Sequence, residues 1–184
     1  QYEVGNPDLD TERGVSVEVS ARWEKGPLQV SGSLYHFAFQ DFIYLAPTGA
    51  DVDDLPVFVE TQEDASFTGG EITASYAIGE AMGALWTIDA GADVVRAKLY
   101  GGGNVPRIPP VSATVGLEAD AGFVKARLDV RWADEQDRVA ALELPTEGWT
   151  SVDLRTTWRL SEDVEGRHRR GVRVELGGAA HRVA

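Results

Sequence analysis

The sequence predicts an all-β protein, an antiparallel up-and-down meander of about eight strands. Three observations carry that reading. Apolar and polar residues alternate along almost the whole chain, the connections between alternating segments are short and long by turns, and no segment has a helical period. Successive side chains on a strand point to opposite faces, so each alternating segment is a strand with one apolar and one polar face.

The strands are expected near 12–24, 27–45, 57–79, 83–99, 111–121, 122–133, 149–160 and 171–177. In the first, Val15, Val17, Val19, Ala21 and Trp23 oppose Ser16, Glu18, Ser20 and Arg22. The second alternates through Leu28, Val30 and Leu34, then becomes apolar on both faces around Tyr35, Phe37, Phe39, Phe42, Ile43 and Tyr44. The third changes parity: Val57, Val59 and Phe67 are odd, whereas Ile72, Ala74, Tyr76 and Ile78 are even. A bulge at Gly69–Gly70 would produce that switch. The remaining strands alternate cleanly, as in Val115 and Leu117 against Glu118, Val130 and Trp132 against Arg131, and Val152 and Leu154 against Asp153.

Short connections fall at Glu24–Pro27, Gly79–Gly83 and Asp120–Gly122, long ones at Ala46–Pro56, Tyr100–Pro110 and Ala133–Gly148; Ser161–Arg170 is intermediate. Such sorting is the habit of outer-membrane barrels, with short periplasmic turns and longer extracellular loops. Trp23, Trp86 and Trp158 lie on the apolar face beside short turns, and Trp132 lies on it beside a long loop. Two aromatic girdles suit a barrel that crosses a bilayer. The expectation is therefore that Val115, Leu117, Val130, Trp132, Val152 and Leu154 face lipid, and that Glu118, Arg131 and Asp153 face a wet lumen.

Composition removes several function classes. The chain has 184 residues, a net charge of −13 and no cysteine. An acidic chain is poorly suited to nucleic acid. Disulfides and thiolate metal sites are excluded. No apolar run is long enough for a membrane-spanning helix. The polar, acidic stretch Gln1–Gly14 is not a signal peptide, and the start without Met does not look natural.

Several stretches resemble one family. Gly5-Asn6-Pro7-Asp8-Leu9 followed by Glu12 looks like the segment that leads into a barrel strand of TonB-dependent receptors. Phe39-Gln40-Asp41-Phe42-Ile43-Tyr44 is similar to that family's aromatic strand end. Leu55-Pro56-Val57-Phe58 with Gln62, Ala65, Phe67, Gly69 and Glu71 looks like its next strand, and Pro106-Arg107-Ile108-Pro109-Pro110 like its Pro-Arg-hydrophobic-Pro element. The resemblance covers residues 5 to about 177, and its overall look is nearest to zinc or haem receptors, with a siderophore receptor open. It implies an outer-membrane active transporter. Its partners would be outer-membrane lipid, a small nutrient ligand, and the TonB complex, which is reached through an N-terminal part missing here. The family's plug domain and TonB box are absent from these residues, and eight strands are roughly a third of a barrel of about 22. The end departs from the family: after Val174-Glu175-Leu176-Gly177 it reads Gly178-Ala179-Ala180-His181-Arg182-Val183-Ala184, without the Asn-rich turn and final aromatic-ended strand. Alternatives from other classes are a soluble or surface β-barrel module holding a small apolar ligand, and a passive porin.

No catalytic residue and no cofactor is expected, and the chain is not read as an enzyme. Ser, His and Asp are present without a nucleophile elbow, and Gly101-Gly102-Gly103 lacks the dinucleotide pattern. The metal candidates are His36 and the loop acids Asp51, Asp53 and Asp54. The acids lack the glycine and terminal glutamate of an EF-hand loop, so a solvated loop is the competing reading. His36 competes with an ordinary wall residue, and Asp134, Glu135 and Asp137 with a solvated loop. His168 and His181 are scattered from the rest.

Overall fold

The computed structural model describes residues 1–159. Its strands are β1 (Tyr2–Val4), β2 (Arg13–Lys25), β3 (Leu28–Val52), β4 (Leu55–Ala81), β5 (Ala84–Leu99), β6 (Ser112–Asp120), β7 (Val124–Ala133) and β8 (Trp149–Trp158). From β2 to β8 each strand pairs antiparallel with the next, giving one meandering sheet. Seven of the expected strands are these seven. The expected strand at 171–177 lies outside the described residues, as do Ser161–Arg170, His168 and His181. The eighth described strand, β1, has no alternating signature because it is only three residues long.

Register turns the alternation of single strands into continuous rows. One row crosses all seven strands of the meander as Trp23, Val30, Ala74, Ala90, Val115, Val130 and Val152. The next row reads Glu24, Gln29, Ser75, Asp89, Gly116, Asp129 and Asp153. A slip of one residue at any pairing would mix the two, so the pattern fixes the register strongly. The apolar face is largely solvent-accessible, with Val115, Val130, Trp132, Val152 and Leu154 all exposed. A soluble sheet of this size would have to cover such a face.

The sheet is uneven in height. β6, β7 and β8 have 9, 10 and 10 residues, the length of a tilted transmembrane strand. β3 and β4 have 25 and 27 residues, so both overshoot their neighbours by a wide margin. The long loop expected at Ala46–Pro56 is thus a correction: the ladder continues to Val52↔Leu55 and turns on Asp53 and Asp54. Both turn residues have positive φ, 51° and 60°. That is the backbone of a two-residue primed turn, which aspartate tolerates.

The bulge expected at Gly69–Gly70 is also corrected. Pairing runs unbroken through Leu34↔Gly70 and Tyr35↔Gly69. The glycines serve close packing. A Cβ on Gly69 would stand 2.3 Å from Tyr35 Oη, and one on Gly70 would stand 2.6 Å from Leu34 Cδ2. Besides register shifts between Pro47 and Asp51 and, in β4, between Ala77 and Gly79, an irregularity lies in β3 between Phe39 and Phe42, where Gln40 and Asp41 face a single position. Asp41 takes a positive φ of 57° there. The extra residue flips the parity of β3, so Tyr35, Phe37 and Phe39 before it share a face with Phe42 and Tyr44 after it. What reads in sequence as a strand apolar on both faces is one aromatic stripe on one face, with Ile43 turned to the other.

The residues before β2 bind to this extension. β1 pairs parallel with Val57–Val59 of β4. The chain then crosses β4 and β3 to reach β2, pinned by Gln62. That side chain exchanges hydrogen bonds with the backbone of Asp10 at 2.6 and 2.7 Å and donates to Asp41 O at 3.0 Å. Glu12 accepts from Ile43 N–H at 2.9 Å.

Candidate functional site

The polar face has two regions. Toward the short turns it carries a lattice of ion pairs. Arg127 on β7 donates two bonds to Asp89 on β5, both 2.8 Å, reaching over the intervening β6. The same guanidinium group holds Asp129 at 2.8–2.9 Å, and Arg155 on β8 reaches Asp129 at 3.3 Å. Gly116 makes the reach possible: a Cβ there would lie 2.2 Å from Arg127 Nη2 and 2.8 Å from Asp89 Oδ2. Lys125 pairs with Glu118 at 2.8 Å, Arg159 with Asp120 at 3.3 Å and Arg131 with Asp153 at 3.8 Å. Charges of opposite sign set on neighbouring strands satisfy one another without leaving the wall.

Toward the long loops the same face turns aromatic. Phe39, Phe42 and Phe67 pack with ring centroids 5.3–5.5 Å apart, and Phe37 and Tyr35 extend the stripe. These rings surround a small core of Ala65, Ala97, Leu99 and Val105, to which Ile108 adds. Val105 belongs to the β5–β6 loop, so that loop folds inward onto the wall. Glu63 holds its base, accepting from Gly101 N–H and from Tyr44 O–H at 3.2 Å. Burial, the hydrogen bond to Glu63 and its negative charge raise the Tyr44 hydroxyl above the usual tyrosine value.

Between the β3–β4 extension and the two loops lies a cavity of about 840 Å³. Phe42, Tyr44, Leu99, Val105 and Leu142 give it apolar walls; Glu60, Arg107 and Glu143 give it charge. The loops that enclose it are tied to one another. Asn104 Nδ2 donates to Val139 O at 3.1 Å and Gln136 Nε2 donates to Ile108 O, while within the β7–β8 loop Gln136 and Thr146 close a two-way backbone bridge.

The residues singled out from sequence do not converge on this cavity. His36 stands on the apolar face, in the row Val17, His36, Thr68, and its Nδ1 bonds Thr68 Oγ1 at 2.7 Å. Asp53 and Asp54 form the hairpin tip, with Asp51 beside it. No group of three His, Cys, Asp or Glu side chains able to hold a metal ion is present among the described residues. Arg107 lies in a stretch whose Pro-Arg-hydrophobic-Pro pattern is visible in sequence, but Glu63, Glu143 and Leu142 carry no local signal. Their roles depend on contacts between distant loops.

Known proteins agree with this architecture. No curated protein matches the chain. Among solved structures, the copper transporter OprC aligns with a TM-score of 0.76 at 24% identity, over 85% of this chain and 25% of its own. The ferric yersiniabactin uptake receptor FyuA from Yersinia pestis aligns with a TM-score of 0.60 at 19% identity, over 82% of this chain and 23% of its own. The FrpB iron transporter from Neisseria meningitidis (F3-3 variant) aligns with a TM-score of 0.58 at 14% identity, over 86% of this chain and 25% of its own. The chain thus spans about a quarter of the length of these proteins, and at such identities the likeness is one of fold. Residues 1–179 match the family described as TonB dependent receptor-like, beta-barrel. With its meander, its two-faced rows and this match over nearly its whole length, the chain belongs to the TonB-dependent receptor β-barrel family.

Proposed function

We propose that the chain is part of the barrel wall of an outer-membrane receptor that takes up a scarce nutrient, a metal ion, haem or a siderophore, with energy delivered through TonB. The wall's two rows carry the reading: a continuous apolar row for lipid beside a polar row of paired charges for a wet lumen. Both the lumen-side ion lattice and the inward-folded β5–β6 loop suit a barrel wide enough to pass a ligand. The names of the structural neighbours, which handle copper, ferric yersiniabactin and iron, favour a metal or metal chelate as cargo. A plug domain and a TonB-contacting segment would be supplied by the rest of the receptor. The chain's part is structural and ligand-contacting, and it does no chemistry on the cargo.

The test is uptake by cells. Disruption of the full-length gene should abolish accumulation of at least one radiolabelled metal or metal chelate, and so should dissipating the inner-membrane proton gradient in the intact strain. Unchanged accumulation of copper, zinc, haem iron and siderophore iron after disruption would sink the proposal. Accumulation that needs the protein but survives loss of the gradient would favour a passive porin.

A further inference from the structure

Two strained residues meet at the cavity. Arg107 has a φ of 61° and Leu142 a φ of 63°, and both line it. The left-handed region is costly for side chains that, unlike Asn or Asp, cannot bond their own backbone locally. Such residues persist where their surroundings over-determine them, and they gather at ligand sites. Here the determinant is Glu143. Its Oε1 accepts from Arg107 N–H at 2.9 Å, and its Oε2 accepts from Ala140 N–H at 2.9 Å. One carboxylate thus clamps the β5–β6 loop to the β7–β8 loop and fixes both strained positions.

Clamped in this way, Arg107 differs from the cations on the polar face of the wall. Lys125, Arg127, Arg131, Arg155 and Arg159 each have a carboxylate partner. Arg107 has none among the described residues, and its side chain is exposed beside apolar walls. A guanidinium presents a planar fork that suits a carboxylate or similar oxyanion, and the gain is greater beside low-dielectric surface than in bulk water. Glu60, the cavity's other unclamped charge, disfavours a polyanion there.

We propose that Arg107 is a contact residue for a ligand joining an apolar body to a single carboxylate or comparable oxyanion, and that Glu143 is its positioning residue. This names the ligand class for the uptake reading above and rests on it.

The experiment uses the purified full-length receptor and fluorine NMR with two fragments, para-trifluoromethylbenzoate and its neutral partner para-trifluoromethylbenzamide. The wild type should bind the benzoate at least about tenfold more tightly than the benzamide. Arg107→Gln should erase that preference while leaving benzamide binding unchanged, which also shows that the cavity is intact. Arg107→Lys should restore part of the preference. Glu143→Gln should lower the preference without weakening the benzamide, a result that simple loop unfolding would not give. Equal binding of the two fragments, no binding of either, or an undiminished preference in Arg107→Gln overturns the assignment of Arg107. An undiminished preference in Glu143→Gln overturns the role of Glu143. Absence of the preference in the wild type, with uptake intact, sinks this inference alone, and a wild-type preference in a receptor dispensable for uptake sinks the uptake reading instead.

Discussion

The guanidinium of Arg127 occupies the space that Gly116 leaves by lacking a side chain, and through that gap it binds Asp89 two strands away. One arginine therefore joins β5 to β7 across β6. It also neutralises Asp129, the one buried charged residue among those described, at 3% exposure.

Gly116→Val should displace that guanidinium and leave Asp129 short of a partner. Breaking a buried pair from one side costs about 3–5 kcal/mol. Arg127 and Asp89 are partly open to water, so a loss of about 2–3 kcal/mol is expected. Urea unfolding of the reconstituted full-length receptor measures it. A loss below about 0.5 kcal/mol would mean that the lattice does not stabilise the wall.

Neighbouring positions on β4 test the two faces. Ile72 lies on the exposed apolar face, and Thr73 on the polar face, where it bonds Ser31 at 2.7 Å. Ile72→Arg should cost about 2–4 kcal/mol in lipid if it sits near mid-membrane. Thr73→Arg should cost about 1 kcal/mol, chiefly through the lost hydrogen bond. Equal losses in a folding titration into vesicles would show that the faces have been exchanged.

Removing the residue that makes the bulge should be worse than replacing it. Deletion of Asp41 would leave Gln40 alone opposite Asp64 and return β3 to regular pairing, with Phe42 still on the face of Phe39 and Phe67. It would lose the Asp41 N–H bond to Asp64 at 3.2 Å and the Gln62 bond to Asp41 O at 3.0 Å. Losing those two exposed hydrogen bonds should cost about 1–2 kcal/mol. Asp41→Gly keeps the bulge and suits its positive φ, so a change within about 1 kcal/mol is expected. Thermal unfolding of both variants decides between a required and an incidental bulge.

The hairpin tip offers a gain. Asp53 and Asp54 both sit in the left-handed region, and the preferred second residue of such a turn is glycine. Asp54→Gly should stabilise the extension by about 0.5–1 kcal/mol, seen as slower amide exchange along Ala46–Val52 and Leu55–Val59. Faster exchange would mean that the aspartate side chain holds the turn by a bond of its own.

Tyr44 gives a pH dependence. Its folded pKa is raised, first by burial and then by Glu63, so the neutral hydroxyl is favoured in the native state. The associated stability is complete below the ordinary tyrosine pKa of about 10 and is lost as pH rises through the higher folded value. A tyrosinate absorbance titration of wild type minus Tyr44→Phe should show one tyrosine that ionises late. A difference curve centred at or below the ordinary value would contradict the Tyr44–Glu63 pairing.

Strand identity, order and face were legible in the sequence because period-two alternation is a local signal, and neighbouring strands repeat it in compatible phase. Trp23 through Val152 could be assigned to one face before any pairing was known. The failures came where alternation is silent. Phe67 and Val59 are apolar yet belong with the polar face, because toward the loops that face becomes aromatic; parity alone placed a bulge at Gly69–Gly70 instead of at Gln40–Asp41. Ala46–Pro56 contains two prolines and a glycine and reads as loop, but strand pairing outweighs those breakers. The cavity was illegible for a different reason. Arg107 meets Glu143 across 36 positions, and nothing in either neighbourhood announces the other.

The short β1 strand has a kinetic meaning. Every other strand is joined to its partner by a direct connection, so wall formation can proceed hairpin by hairpin. β1 must wait, because its template is the far end of β4, and the Asp10–Gln62 bond that secures the crossing spans 52 positions. Closing that loop yields only three paired residues in return. The segment ahead of β2 should therefore be the last part to dock and the first to release, a clasp whose opening would free the upper edge of β4 while leaving the barrel wall below it shut.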